Sequence, residues 1–219
     1  ADAAHELRTP LAAIRANAQV LVGARDAHER EATALDLIAS VDRSTRLVEQ
    51  LLALAKADAT LRPESIRQND LAELAHQQVL AHRALAARQG VRIITALTPQ
   101  SVQGDPALLA VLLRNLIENA LHYTPAGGEV RVSCGGDATG AWLEVADDGP
   151  GIAPEDRERV FERFYRAAGQ KATGSGLGLS IVRRIAELHG ASVQILGSRD
   201  DEGEAGQGTR FRVAFRPPA

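Results

Sequence analysis

The chain has 219 residues, of which 45% are hydrophobic and 24% are charged, proportions that argue against a disordered or fibrous protein. Its formal net charge of −3 argues against a nucleic-acid partner bound through a basic surface. The single cysteine, Cys134, cannot form an internal disulfide and favours a reducing compartment. No apolar run is long enough to span a membrane, and the chain begins inside a helical pattern, so we expect it to be part of a longer protein.

Residues 1–58 are predicted to form a helical hairpin with its turn at residues 24–29. Apolar residues recur there at steps of three and four, the spacing of one helix face. The recurring positions are Leu7, Leu11, Ile14, Ala18 and Leu21 in the first arm and Ala34, Ile38, Val41, Thr45, Val48, Leu52 and Ala55 in the second. Further leucines widen the face of the second arm, so one hairpin cannot bury it. We therefore expect two hairpins to pair as a four-helix bundle, which makes the protein a homodimer.

Residues 59–66 are predicted to be a linker, and residues 67–219 carry mixed helix and strand signals. Asp70 and the pair Asp105-Pro106 mark helix starts. The predicted helices span residues 71–89, 106–123 and 177–189, and the predicted strands span residues 91–97, 101–103, 129–133, 141–146, 192–196 and 209–215. A Gly-Gly-Asp turn is predicted between the third and fourth of these strands. The pattern predicts an α+β two-layer sandwich, with residues 147–175 as a long functional loop.

The first chemical motif is HELRTPL, residues 5–11. At about 100° per residue, His5 lies roughly 160° from the apolar stripe centred on Leu7, and Thr9 shares its side. An exposed neutral imidazole is a nitrogen nucleophile, and Glu6 beside it can accept a proton. Pro10 leaves the carbonyl of Glu6 without its usual donor and loosens the helix there. Because most exposed helical histidines have no chemical role, the second domain decides how this motif is interpreted.

Asn115 and Asn119 lie one helical turn apart in the second domain. Amide oxygens suit Mg²⁺, which binds few protein ligands and completes its shell with water and phosphate oxygens. Asp147 ends a predicted strand and precedes a glycine-rich turn, where its carboxylate is a plausible partner for an adenine amine. The segment Gly174-Ser175-Gly176-Leu177-Gly178 then opens a helix, whose free N–H groups favour phosphate. The spacing matches neither a dinucleotide fingerprint nor a P-loop.

Together these motifs resemble those of sensor histidine kinases. The H box (residues 5–11), N box (115–120), G1 box (147–151), F box (161–165) and G2 box (174–179) occur in the family's order. The resemblance covers practically the whole chain. It implies a dimerisation and phosphotransfer hairpin followed by a Bergerat-type ATP-binding domain, a fold shared with Hsp90, gyrase and MutL. Residues 1–11 are most similar to the QseC and PmrB branch, whose partners are OmpR-type response regulators.

The resemblance also implies roles for the residues of the hairpin and the N box. His5 would be the phosphoacceptor, Glu6 its base or orienting acid, and Thr9 the residue that positions water when the phosphorylated regulator is dephosphorylated. Asn119 would be the Mg²⁺ ligand, with Asn115 close by.

For ATP, the resemblance implies that Asp147 binds the adenine amino group and that Tyr123 packs on the nucleotide. The other implied pocket residues are Gly149, Gly151, Ile152, Gly174, Ser175, Gly176, Leu177, Gly178 and Thr209. His122 stands where many relatives have Lys or Arg reaching the phosphates. In the lid, residues 152–173, the cations that could supply positive charge are Arg163, Arg166 and Lys171.

As a member of this family, the chain would be the cytoplasmic portion of a bacterial inner-membrane protein, connected to the membrane only through a missing N-terminal sensor region. It would pass the phosphoryl group from His5 to an Asp in the receiver domain of an OmpR-type response regulator. Two other interpretations are a Bergerat-fold ATPase that drives a clamp, which would not need the H box, and a non-catalytic dimeric scaffold with a regulatory nucleotide pocket. Acid-labile phosphate on the dimer would distinguish the three.

Overall fold

The computed structural model describes residues 2–23, 26–58, 63–166, 175–196 and 208–216. The chain divides into two compact units, one containing residues 1–55 and the other containing nearly all of the chain from Lys56 onward. Within the described ranges, no helix combines the length and the apolarity needed to cross a membrane.

The first unit contains helix α1 (Asp2–Gly23) and all but the last three residues of helix α2 (Ala27–Asp58). The predicted hairpin is therefore observed, and Asp26 begins α2 by accepting a hydrogen bond from the Glu29 N–H at 2.7 Å. Between the helices, the Asn17 side-chain amide donates to Ser40 Oγ at 3.4 Å. Among the described side chains of α2, Ser40 and Leu47 are buried.

The regular series predicted for α2 is not the one that faces α1. Ile38, Val41, Val48 and Leu52 remain between 44% and 59% exposed in this single chain. They lie on a face of α2 that α1 does not cover. The helical period of the pattern is confirmed, but the hairpin itself does not bury this face, and its burial in a dimer stays a prediction.

The second unit begins with a strand that the sequence pattern did not predict, β1 (Arg67–Asp70). It pairs antiparallel with β3 (Ser101–Gly104), and the Asn69 side-chain amide adds a hydrogen bond to the Gly104 carbonyl at 2.9 Å. Asp70 caps helix α3 (Leu71–Gln89) as predicted, by accepting from the Ala72 N–H. Gly90 ends this helix in the left-handed conformation, at φ 69°.

The main sheet has five strands in the order β2-β4-β5-β7-β6. They span Arg92–Leu97 (β2), Glu129–Asp137 (β4), Gly140–Asp147 (β5), Ser192–Leu196 (β6) and Thr209–Ala214 (β7). Strands β2 and β4 are parallel, and the other neighbours are antiparallel. Helices α3, α4 (Pro106–Tyr123) and α5 (Gly178–Leu188) pack on this sheet and on one another. The predicted α+β sandwich is confirmed.

The predicted Gly-Gly-Asp turn is wrong, because these residues belong to β4. The turn falls instead at residues 138–139. A Cβ on Gly135 would lie 2.7 Å from Trp142 Cζ2 on the neighbouring strand, and one on Gly136 would lie 2.7 Å from Gln100 Oε1. These glycines therefore make room for side chains that cross the sheet, a role that local sequence does not reveal.

His189, just beyond α5, links the end of α5 to the start of α4 through the hydrogen bonds of its ring. Its Nε2 accepts a hydrogen bond from the Asp105 N–H at 3.0 Å, while Nδ1 lies 2.7 Å from the Ile185 carbonyl oxygen and donates to it. A Cβ on Gly104 would lie 2.7 Å from Nε2 of this ring and 3.0 Å from Leu109 Cδ1. Gly104 is thus required by close packing.

We expect Gly104→Ala to lower the free energy of unfolding of the second unit by about 1–3 kcal/mol, because the added methyl group overpacks this contact. Urea unfolding followed by the fluorescence of Trp142, the single tryptophan, measures it. The loss of unfolding free energy should be smaller in a His189→Ala background, because the ring that the methyl group would meet is absent. An equal cost in both backgrounds would show that the ring is not the obstacle.

Candidate functional site

Asp147 is a buried carboxylate at the end of β5, only 2% exposed. Its Oδ1 accepts hydrogen bonds from the Gly149 N–H at 2.9 Å and from the Thr209 N–H at 3.2 Å. No described residue donates to Oδ2, so this oxygen is available to a ligand. Burial raises the pKa of Asp147 from 3.8 to about 6, against the lowering effect of the two backbone N–H groups; the neighbouring Asp148 adds to the rise.

Glycines bring backbone close to Asp147 on two sides. A Cβ on Gly149 would lie 2.7 Å from Asp147 Oδ1 and 3.1 Å from the Tyr123 carbonyl oxygen. Gly208 has φ 115°, and a Cβ there would collide with the Asp147 carbonyl oxygen. These two positions let the turn after β5 and the start of β7 close around one carboxylate.

The end of helix α4 carries the predicted N-box residues. Asn115 is 4% exposed, and its amide nitrogen donates to the Val111 carbonyl at 2.7 Å. Its Oδ1 faces the first residue of α5, 3.1 Å from where a Cβ on Gly178 would lie. Asn119, one turn further on, is half-buried. The buried Asn115 therefore packs α4 against α5, which leaves Asn119 as the more accessible amide.

His122 and Tyr123 form the last positions of α4, with their rings edge to face at 4.8 Å. Partial desolvation and the Arg166 guanidinium lower the pKa of His122, so its ring is neutral at pH 7. Desolvation raises the pKa of Tyr123, an effect that Arg166 opposes. The structure thus brings the exposed Arg166 close to these two rings, although it lies 43 positions after Tyr123 in the chain.

The segment after the G1 box is held by contacts that the sequence did not predict. Phe161 lies edge-on to the buried Phe211 ring at 6.3 Å. The Tyr165 hydroxyl donates to Asp156 Oδ1 at 2.5 Å, and the Arg159 guanidinium lies 4.3 Å from the centre of the Tyr165 ring. Tyr165 finds its partners within the same segment, whereas the partner of Phe161, Phe211, lies 50 positions later on β7, beyond the reach of a local pattern.

Phe164 is the non-glycine residue with positive φ among the described residues, at 66°. Its N–H donates to the Gly176 carbonyl at 2.9 Å. A Cβ on Gly176, whose own φ is 69°, would lie 2.7 Å from the Phe164 carbonyl carbon. The chain before and after residues 165–175 is therefore joined by one close backbone contact.

The remaining predicted residues fall into three groups. The backbone of His5, Glu6 and Thr9 lies in α1, but their side chains are outside the described part, as are Lys171 and Gly174 entirely. Arg163 is exposed. The half-buried or buried residues around the loop are Gly151, Ile152, Ser175 and Leu177.

This arrangement fits a ligand with an amino group at one end and anionic oxygens at the other. The open Oδ2 of Asp147 is an acceptor for the amino group. The start of α5 offers backbone N–H groups and the positive end of a helix dipole, and Arg166 adds a positive charge. The amide oxygen of Asn119 is a suitable donor for Mg²⁺.

Two protein families match the chain. Residues 1–60 match the His Kinase A (phospho-acceptor) domain, and residues 104–219 match the histidine kinase-, DNA gyrase B-, and HSP90-like ATPase family. The latter match covers more than half of the chain.

Individual relatives are similar over most of this chain. It is 42% identical over 196 residues to the sensor protein QseC of Escherichia coli O157:H7, covering 88% of this chain and 43% of QseC. It is 38% identical over 227 residues to the sensor protein kinase PmrB of Pseudomonas aeruginosa, covering 100% of this chain and 46% of PmrB. The crystal structure of full-length ShkA in complex with AMPPNP superimposes with a TM-score of 0.70 at 30% identity, covering 98% of this chain and 45% of ShkA. The chain thus spans less than half the length of these relatives.

The raised pKa of Asp147 predicts a pH-dependent stability. The folded form keeps the proton up to about pH 6, whereas the unfolded carboxyl releases it near its ordinary pKa of 3.8. Protonation of Asp147 therefore stabilises the folded form, with its full contribution below about pH 3.8. This contribution is lost as the pH rises through about 6. Asp147→Asn removes the titrating group.

Relative to Asp147→Asn, we expect the nucleotide-free wild type to lose on the order of 3 kcal/mol of stability between acidic pH and neutral pH. Urea unfolding of both chains across this pH range measures the difference. A constant difference would contradict the assignment of the shift to Asp147.

Proposed function

Because the chain belongs to the sensor histidine kinases, we propose that it transfers the γ-phosphoryl group of ATP to His5. The observation that carries this proposal is the buried Asp147 carboxylate, held by two backbone N–H groups with its second oxygen open. A carboxylate in this state is an acceptor placed for one specific donor. The match of residues 1–60 to the phospho-acceptor domain disfavours a clamp ATPase, which would not need the H box.

We assign the adenine amino group to Asp147 Oδ2. At pH 7 the carboxylate is mostly ionised, since its pKa is about 6, and it can accept a charge-assisted hydrogen bond. Gly149 and Thr209 orient the carboxylate, and Tyr123 packs on the nucleotide. The close approach of glycine backbone leaves room for a flat ring beside the acid.

The phosphates belong at the other end of the site. The N–H groups at the start of α5 and the Arg166 guanidinium would bind phosphate oxygens. His122 cannot replace a lysine or arginine at pH 7 because its ring is neutral, so Arg166 carries more of this role. Asn119 would hold Mg²⁺, which supplies neutralisation of the phosphate charge when bound.

The proposed transfer is an in-line displacement. A ring nitrogen of His5 forms a bond to the γ-phosphorus as the bond from that phosphorus to the β,γ-bridging oxygen breaks, and ADP leaves. The ring proton passes to Glu6. The protein's contribution is to position the groups and stabilise charge, with no covalent step before the transfer to His5.

We propose further that phosphorylated His5 donates to an Asp of an OmpR-type response regulator, and that Thr9 positions water when the chain dephosphorylates that regulator. Similarity to QseC and PmrB supports this partner class. The same similarity supports placement in the cytoplasmic portion of an inner-membrane protein, since a solved QseC structure described as the cytoplasmic segment matches 81% of this chain.

We also propose that the chain is a homodimer through its first unit. The apolar face of α2 formed by Ile38, Val41, Val48 and Leu52 remains exposed, and Leu11 of α1 is 56% exposed. Exposed apolar faces of this length mark interfaces. A second hairpin covering them would complete a four-helix bundle.

Incubation with γ-radiolabelled ATP tests the phosphoacceptor. We expect His5→Gln to abolish acid-labile label on the protein because the attacking nitrogen is gone. Thr9→Ala, on the same helix, is the matched control and should keep the label while losing phosphatase activity toward the phosphorylated regulator. Label that persists on His5→Gln would overturn the assignment.

Purine preference tests the role of Asp147. In Asp147→Asn the amide oxygen can still accept from Gly149 and Thr209, but an NH₂ group replaces the open acceptor. We expect ATP affinity to fall by about tenfold or more, and the ATP-to-GTP preference to shift toward GTP, whose 6-oxo group accepts. Isothermal titration measures both nucleotides.

Asn119→Ala provides the control for this measurement. It should lose the Mg²⁺-dependent part of the affinity for both nucleotides and leave their ratio unchanged. An unchanged ATP-to-GTP ratio in Asp147→Asn would exclude adenine recognition by this carboxylate.

Light scattering tests the dimer. We expect Val48→Lys to shift the mass from twice 23.3 kDa toward 23.3 kDa, because it buries an unpaired charge in the interface. Leu80→Lys on α3 is the control, since Leu80 is 46% exposed and Val48 is 44% exposed, and it should leave the mass unchanged. A dimer that survives Val48→Lys would place the interface elsewhere.

A further inference from the structure

The start of helix α5 is held by packing and not by a capping side chain. Helices α3 and α4 each follow an aspartate whose carboxylate accepts backbone N–H groups, whereas the N-cap of α5 is Leu177, which has no side-chain oxygen. Leu177 is fully buried, and Ser180 is 6% exposed and donates to the Leu177 carbonyl at 2.8 Å. The position of the first turn of α5 is therefore set by the residues on which it packs.

Asn115 of α4 lies against the first residue of α5. A Cβ on Gly178 would lie 3.1 Å from Asn115 Oδ1, and the next nearest atoms would be Cγ and Cβ of the same asparagine, at 3.9 Å and 4.0 Å. Asn115 is 4% exposed, and its amide nitrogen donates to the Val111 carbonyl at 2.7 Å. The side chain is thus held by its own helix, while its oxygen meets α5 at a position where a residue larger than glycine crowds the contact.

These features disfavour Asn115 as a ligand of Mg²⁺. The ion keeps several water molecules when it binds to a protein, so its protein ligands need access to solvent. The oxygen of the buried Asn115 faces Gly178, whereas Asn119 is half-buried. Of the two amides of the N box, Asn119 is therefore the one that suits the metal.

We propose that Asn115 is a positioning residue that, through Gly178, places the backbone N–H groups of the first turn of α5 where they bind phosphate oxygens. This inference rests on the proposed binding of ATP. Because N–H···O bonds are restricted to N···O distances of about 2.7–3.2 Å, a small shift of this turn would weaken phosphate binding. The base site should keep its affinity, since the hydrogen bonds that orient Asp147 come from the turn after β5 and the start of β7.

Affinities for ADP and for adenosine, which has no phosphate, test the proposal in Gly178→Ala and Asn115→Ser. Serine can still donate to the Val111 carbonyl four residues earlier, but its side chain is shorter. We expect each variant to bind ADP about tenfold more weakly, the loss of one hydrogen bond to a charged group, and adenosine as wild type does. Isothermal titration measures ADP, and the backbone amide resonances of Gly149 and Thr209 measure adenosine. Unchanged adenosine binding also shows that the variants fold.

Dependence on Mg²⁺ separates positioning from metal binding. We expect Asn115→Ser to lose the same factor of ADP affinity in Mg²⁺ and in EDTA. Asn119→Ala, on the same helix, is the matched control and should lose ADP affinity only in Mg²⁺. Gly178→Ala should also cost less affinity in an Asn115→Ser background, because the oxygen that the methyl group would meet is withdrawn.

Three results would overturn the positioning role while leaving ATP binding intact. They are a loss in Asn115→Ser that is confined to Mg²⁺, an equal loss for adenosine, and additive losses in the double variant. A wild-type chain that binds ADP no more tightly than adenosine would instead overturn the proposed binding of ATP, and this inference with it.

Discussion

The second unit is organised around a single buried carboxylate. Asp147 joins two segments that are far apart in sequence, because one of its oxygens accepts hydrogen bonds from the Gly149 N–H in the turn after β5 and from the Thr209 N–H at the start of β7. Burying an acid has a free-energy cost, which shows as a pKa of about 6. A fold tolerates such a cost where the group is needed, and here the second oxygen faces the place where a base would lie. The glycines at positions 149 and 208 follow from the same constraint, since larger residues would fill the space around the acid.

The site also depends on how the helices are held to the sheet. The buried Asn115 lies against Gly178, the first residue of α5, and His189 beyond the other end of α5 accepts a hydrogen bond from the Asp105 N–H before α4. The start of α5 and the residues at the end of α4 therefore belong to one packed helical layer, which contacts β5, the strand that ends at Asp147. The hairpin differs, because its most regular apolar series is exposed in the single chain, the feature on which the proposed homodimer rests.

Local signals in the sequence predicted most of the fold. The N-caps Asp70 and Asp105, the proline after Asp105 and the left-handed Gly90 all act within a few residues, and each was found where predicted. Strand β1 was missed because Arg-Gln-Asn-Asp carries no strand signal and pairs with a segment 31 or more positions away. The turn at Gly135-Gly136 was misplaced because these glycines serve Trp142 and Gln100, which lie across the sheet and in a loop. The motifs located Asp147 and Asn119, but the burial of Asn115 and the approach of Arg166 to His122 depend on tertiary packing that no local pattern encodes.

The contact between Phe164 and Gly176 has a consequence for how such kinases diversify. Two residues with positive φ and one hydrogen bond bring the chain back to nearly the same point. The stretch between them can then gain or lose residues at little cost to the remainder of the unit, since loop-closure entropy grows slowly with length. Selection can thus change the length of this stretch without rebuilding the surroundings of Asp147.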